Sequence, residues 1–231
     1  MTERHELRWG GFAGLAFVVL AMLGQFLPTM APSVDASSND IISYISDHRK
    51  MILLASLMWA AAAPLVIWFA AAFSEAIRER SERSDVHLAL LAGAVLVGAA
   101  IFVNAAVVAA NAYGVAGRVP AATVTVFQST LVMGTMIGFA TALPLAAAGL
   151  GVLRTHLMPD WLGYLALLAA LVSFLGAFGI FATSGTFRPG GWLTSVVPLL
   201  LSAVWVLAAS GFMVREHLPE ISAGEVTVPQ T

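Results

Sequence analysis

Neutral amides are the strongest chemical groups inside the apolar part of this sequence. Asn104 and Asn111 fall within one long apolar run, 86–113, and Gln128 within the next, 121–153, while Gln25 stands near the end of the first run. Seven residues separate Asn104 from Asn111, so the two share one helix face, as do Gln128 and Thr135. At ~1.5 Å rise per residue, and with the threading derived below, all four amides sit in the outer half of a bilayer. Polar side chains in hydrocarbon need partners, and interhelical hydrogen bonds contribute about 0.6 kcal/mol on average. One reading is that the amides fasten helices together, helped by the small pairs Gly134/Gly138 and Ala94/Gly98. The other is an outward-facing pocket for a small neutral or lipid-like molecule, lined by Gln25, Trp59, Asn104, Asn111 and Gln128. Arg49, Lys50, Arg118 and Arg188 could then ring its mouth and attract an anionic headgroup, although interfacial anchoring also explains these cations.

The ionisable residues exclude more than they suggest. No Asp, Glu, Lys, Arg or His lies deep within an apolar run, whereas proton relays, ion paths and bilayer-centre cofactor sites depend on such groups. A pump, a rhodopsin or a cytochrome with ligands at mid-membrane is therefore disfavoured. Lys50, the sole lysine, stands at a run boundary, which argues against a buried Schiff base. His87 and His156 fall near the inner face with Glu75, Asp85 and Asp160 within plausible reach, a set that could hold a metal or exchange protons. No HExxH or comparable spacing supports that use, and histidines satisfied by interfacial water account for the pattern. The chain has no cysteine, so disulfides and thiolate chemistry are absent. No residue is assigned to catalysis, to a metal or to a cofactor.

The elements that must position these groups follow from composition. Hydrophobic residues make up 59% of the 231 positions and charged residues 10%, with a mean hydropathy of +0.88, against roughly one quarter charged in a soluble domain. The chain is an integral membrane protein, and its net charge of -2 offers no basic surface for nucleic acid. Six runs each approach or exceed the ~20 residues that cross a hydrocarbon core: about 9–30, 51–73, 86–113, 121–153, 161–183 and 192–214. The expected fold is an all-α polytopic bundle of six spans in one domain, 1–214, followed by a flexible cytoplasmic tail, 215–231. Gly10, Gly14, Val18, Ala21 and Gln25 make a small-residue stripe on span one that should face protein. Ser37, Ser38, Asn39 and Asp40 can cap a short surface helix carrying Ile41, Ile42 and Ile45 on one side. Pro64 interrupts span two, and Trp59 and Trp68 lie away from its ends, where a buried indole N–H needs a partner. The stretch SEAIRERSERSD reads as a solvated helix extension, with Glu75/Arg78 and Glu79/Arg83 pairs.

Threading follows from the basic residues. With the amino terminus inside, seven (Arg4, Arg8, Arg78, Arg80, Arg83, Arg154, Arg215) fall on the cytoplasmic side against four (Arg49, Lys50, Arg118, Arg188) outside. Both termini are expected in the cytoplasm, and a bacterial plasma membrane is the expected location. Pro64-Leu65 followed by LALLA at 88–92 echoes Pro144-Leu145 followed by LALLA at 165–169, a faint repeat in a chain rich in alanine and leucine.

The segments DIISYISDHRKMILLAS and GLGVLRTHLMPDWLGYLALLA resemble patterns in a family of small six-span bacterial membrane proteins known only as a domain of unknown function. That resemblance implies the order of spans and no established activity. Three functions are open on this reading: a non-enzymatic binding or carrier protein for a small neutral or lipid-like molecule, an accessory or scaffold subunit bound to a membrane-protein partner, and a lipid- or isoprenoid-modifying enzyme. The absence of deep carboxylates counts against the last.

Overall fold

The computed structural model describes residues 2–28, 31–80, 85–114 and 120–215. Their regular structure is entirely helical: α1 (Thr2–Phe26), α2 (Ser38–Asp47), α3 (Arg49–Arg80), α4 (Val86–Gly114), α5 (Pro120–Thr155), α6 (Asp160–Ala177) and α7 (Val197–Arg215). A 3₁₀ turn, Phe178–Phe181, continues α6, and a π turn, Trp192–Val196, leads into α7. Six segments, all but α2, are long and apolar enough to cross a membrane. This is a multi-pass membrane protein, and the helices follow from a solvent that cannot hydrogen-bond a free amide. An even number of spans puts both ends of the bundle on one face, with α2 on the other.

The spans form a closed ring in chain order, α1 against α3, then α4, α5, α6 and α7, which returns to α1. Every neighbouring pair is antiparallel, as the facing residues show. On α1, Gly10 faces Ala72 and Gly24 faces Trp59 of α3; Gly98 on α4 faces Ile67; Gly93 on α4 faces Pro144 of α5; Gly149 on α5 faces Gly163 of α6. The α1 stripe does face protein, since Val18 and Ala21 are buried. Gly11 and Gly14 approach Ser210 of α7 so closely that any side chain on either would collide. Pro64 lies on an exposed face, whereas the Pro144 ring rests on Gly93. The two prolines of the faint repeat therefore have different surroundings.

The half of the ring nearer the termini is packed around Trp205. Its ring meets Phe69 and Phe73 edge to face at 5.9 and 5.7 Å, and its indole N–H donates to the Leu162 carbonyl at 3.1 Å. The buried indole is thus on α7, while Trp68 is 55% exposed and faces the bilayer. Ile77, Val152, Leu157, Leu162 and Met213 close this end.

The other end is closed by irregular chain. The Ser37 hydroxyl caps α2 by accepting from the Asp40 amide, and Ile41, Tyr44 and Ile45 are buried against Ile52, Ala112 and Phe127. The surface helix α2 is docked by this side on residues of α3, α4 and α5, with Ile42 only partly covered. The α6–α7 loop dips inward until the Gly190 amide donates to Thr135 at 3.3 Å. Gly190 adopts φ of 75°, and a β-carbon there would stand 2.9 Å from Leu131, so only glycine fits the apex. Arg188 ties the loop to Asp35 at 3.6 Å. The Asp35 carboxyl is held below its ordinary pKa first by the Ser33 hydroxyl, then by its own backbone amide, with Arg188 adding a smaller pull.

Two outcomes test this architecture. With the arginine-rich end in the cytoplasm, Ser38→Cys and Ser184→Cys react with an impermeant thiol reagent added outside cells and His156→Cys does not; the opposite pattern inverts the protein. Glycine pairs give the second. A β-carbon on Gly138 would meet the Ser173 carbonyl oxygen at 2.5 Å, but on Gly134 the nearest atom is Asn104 Nδ2 at 3.8 Å. Gly138→Ala is expected to destabilise by about 1–3 kcal/mol, the usual cost of overpacking, and to lower the melting temperature in detergent, while Gly134→Ala leaves it within error.

Candidate functional site

The five residues expected to line one pocket are distributed over three places. Trp59 belongs to the α1–α3 seam, where its indole lies against Gly24, and Gln25, half-buried, is the next residue on α1. Asn104 and Asn111 both point into the α4–α5 seam. Asn111 Nδ2 donates to the Thr123 carbonyl at 3.3 Å, and Asn104 Nδ2 faces Gly134. Gln128 lies on another side of α5 and donates from Nε2 to the Val34 carbonyl at 2.9 Å, pinning the linker that leads into α2. The amides lie in the half of the bundle nearer α2, spread over about 10 Å of depth, without converging on one cavity.

The seam amides are incompletely satisfied. The Oδ1 atoms of Asn104 and Asn111 are buried and accept no hydrogen bond. A buried acceptor left unpaired costs about 1–3 kcal/mol, more than one interhelical hydrogen bond of average strength returns.

The cations do not ring a mouth. Arg49 donates from Nε to the Ala112 carbonyl at 3.0 Å and lies 5.4 Å from the Tyr113 ring centre, so it caps the end of α4, where a cation complements the helix dipole. Arg188 is paired with Asp35, Lys50 is exposed, and Arg118 lies outside the described residues. At the opposite face His156, in a left-handed turn with φ of 48°, bonds Asp160 at 3.0 Å, and Glu75 pairs with Arg78. Among the described residues no three His, Asp or Glu side chains lie close enough to hold a metal ion.

A concavity among the described residues runs down the outside of α5. It is an open groove of about 530 Å³, bounded on the α4 side by Ala100 and floored by Thr125, Gln128, Ser129, Val132, Met133, Met136, Ile137 and Ala140. Four-residue steps place these side chains on one helix face, and that face is turned away from the α4 and α6 contacts at Gly134 and Gly138. Thr125, Ser129 and Met136 are exposed, so the groove is open on the lateral surface of the bundle and not enclosed within it. It is graded: Thr125, Gln128 and Ser129 occupy the end level with α2, whose Tyr44 contacts Phe127, and only apolar side chains follow. From Thr125 to Ala140 the helix advances ~22 Å, the depth of one leaflet with its headgroups, half of the ~40–45 Å total.

Of the amides marked in the sequence, only Gln128 belongs to this groove. Thr125 and Ser129 were not marked, because hydroxyls that bond their own helix are ordinary in membrane spans. The signal available was their spacing, Thr125, Ser129, Met133 and Met136 following one face on either side of Gln128.

The amide geometry yields a counter-intuitive outcome for stability. Asn104→Leu removes an orphaned acceptor from the seam, and replacing such a group by an apolar one of similar size is neutral or stabilising. Its melting temperature in detergent is expected to equal or exceed that of the parent. Gln128→Leu forfeits the tie to Val34 and is expected to cost about 0.5–1.5 kcal/mol. Thermal unfolding of both variants checks the contrast, which fails if Asn104→Leu is the more damaging.

Comparison with protein-family models, curated proteins and solved structures returned no match. The fold and the groove therefore have to be interpreted from their own geometry.

Proposed function

We propose that this chain is a non-enzymatic membrane protein that binds or carries a lipid-like molecule, admitted laterally from the bilayer into the α5 groove. The observation that carries the reading is the polarity gradient along that groove, with Thr125, Gln128 and Ser129 at the headgroup level and Val132 to Ala140 at chain level. A single-chain amphiphile has the same gradient over the same length. The volume falls within the ~300–1,000 Å³ usual for small-molecule sites. Among the described residues no acid or base lines the groove, which supports binding over chemical conversion. The arginine and lysine asymmetry supports cytoplasmic termini.

A second reading, an accessory subunit docked on a partner, is favoured by one feature. Phe139, Phe174 and Phe178 are mutually edge-packed with 5.4 Å between ring centres, and Phe174 and Phe178 remain exposed on the α5–α6 surface. Such rigid aromatic faces suit helix docking.

Photolabelling discriminates between them. The protein is reconstituted in vesicles with a long-chain alcohol bearing a diazirine in its tail, and labelled peptides are mapped. Lateral binding concentrates label on 132–140, and excess unlabelled alcohol or Met136→Trp, which fills the groove from an exposed position, reduces it several-fold. Equal labelling of every bilayer-exposed helix face, unaffected by competitor, overturns the reading.

A further inference from the structure

The hydrogen bonds already made at the head end of the groove decide what kind of headgroup it can receive. A hydroxyl has one proton to donate and lone pairs to accept with. The Thr125 hydroxyl donates its proton to the Ala121 carbonyl at 3.1 Å, and the Ser129 hydroxyl donates its own to the Thr125 carbonyl at 2.8 Å. What each presents to the groove is therefore an acceptor oxygen. Gln128 is oriented by its neighbour: Nε2 must be the atom facing the Val34 carbonyl, which leaves Oε1 as the third acceptor, one that takes no hydrogen bond from the described residues. The described lining holds no lysine, arginine or histidine. Arg49 is engaged with Ala112 and Tyr113 at the end of α4, and Arg188 with Asp35.

Three acceptors with a single remaining amide proton on Gln128 repel a phosphate or carboxylate, which brings further acceptors and a charge with no counter-ion. An ammonium head would find donors matched but no carboxylate to offset its desolvation, which is costly at a low-dielectric boundary. An uncharged hydroxyl matches on both counts. We infer that the groove selects amphiphiles with an uncharged, hydrogen-bond-donating head, of the class of long-chain alcohols and monoacylglycerols, through the acceptor oxygens of Thr125, Gln128 and Ser129. This rests on the lateral-binding reading above and specifies its ligand.

The test uses the full-length protein in vesicles and three diazirine probes of one chain length that differ only at the head: hydroxyl, methyl ether and carboxylate. The methyl ether keeps the acceptor and loses the donor. The hydroxyl probe is expected to label 132–140 at concentrations roughly three- to tenfold lower than the ether, the discrimination given by one or two neutral hydrogen bonds, with the carboxylate weakest. In the Thr125→Val, Ser129→Ala double variant the hydroxyl advantage falls towards one while ether labelling is unchanged. Both hydroxyls bond only their own helix, so that helix survives the change, and the unchanged ether signal verifies it. Equal labelling by hydroxyl and ether, a preference for the carboxylate, or a hydroxyl advantage that persists in the double variant overturns the headgroup assignment and leaves groove binding standing. Failure of all three probes to concentrate on 132–140 overturns the lateral-binding reading itself.

Discussion

Once every backbone hydrogen bond is closed within a helix, hydrocarbon gives two helices no hydrophobic reason to meet, and what joins them is close approach. The ring depends on this at one place above all. Chain-sequential spans are brought together by the segments that join them, but α1 and α7, the first and last described helices, are not neighbours in the chain. Their seam carries Gly11 and Gly14 against Ser210, Met213 and Val214, with no room for a β-carbon. Backbones brought that near exchange many small dispersion contacts, and Gly14 also admits Phe69 from α3. Closing this seam converts a row of hairpins into a bundle with an inside.

That inside is unevenly filled, and the asymmetry explains where function can sit. Trp205 bridges three spans at the end bearing the termini: it stacks edge-on against two α3 phenylalanines and donates to α6. A large rigid ring with its one donor satisfied has little freedom left. The α2 end has no such keystone. It is stopped by α2, by the linker held through Gln128 and by the glycine apex at Gly190. A less tightly specified end can spare side chains for a surface site, whereas any groove cut through the Trp205 end would expose its shared contacts.

Much of the fold was legible because the length of an apolar run is a sufficient signal in a bilayer. The run 86–113 became α4, Val86–Gly114, since no residue within it offers an alternative to helix. The end of span five was less legible. There α6 tightens into a 3₁₀ turn because Gly179 is pressed against Thr194 and the Phe187 carbonyl, a contact between segments that periodicity cannot contain. Small-residue stripes announced that a face meets protein without saying which helix it meets, so Gly134 and Gly138 looked equivalent although only Gly138 lies against backbone. Trp205 escaped notice because position within a run does not reveal burial, and Trp68, chosen on that basis, faces lipid. The amides were visible as amides, but whether they converge depends on helix rotation, which seven-residue spacing leaves open between neighbours.

The hydroxyls of α5 carry a more general consequence. In water a threonine or serine beside a ligand can turn its proton either way, so its presence says little about the ligand. On a helix surface the proton's nearest acceptor is the helix's own carbonyl four residues back, and a bond to it fixes the hydroxyl's polarity. Thr125 and Ser129 stand one turn apart and bond in series, to Ala121 and then to Thr125 itself, so both present lone pairs to the same side. Gln128 between them is held in the same sense by a carbonyl from another segment. The selectivity of such a site is set by where the donors have already been used, and a bundle with no ionisable residue in its groove can still distinguish one neutral headgroup from another.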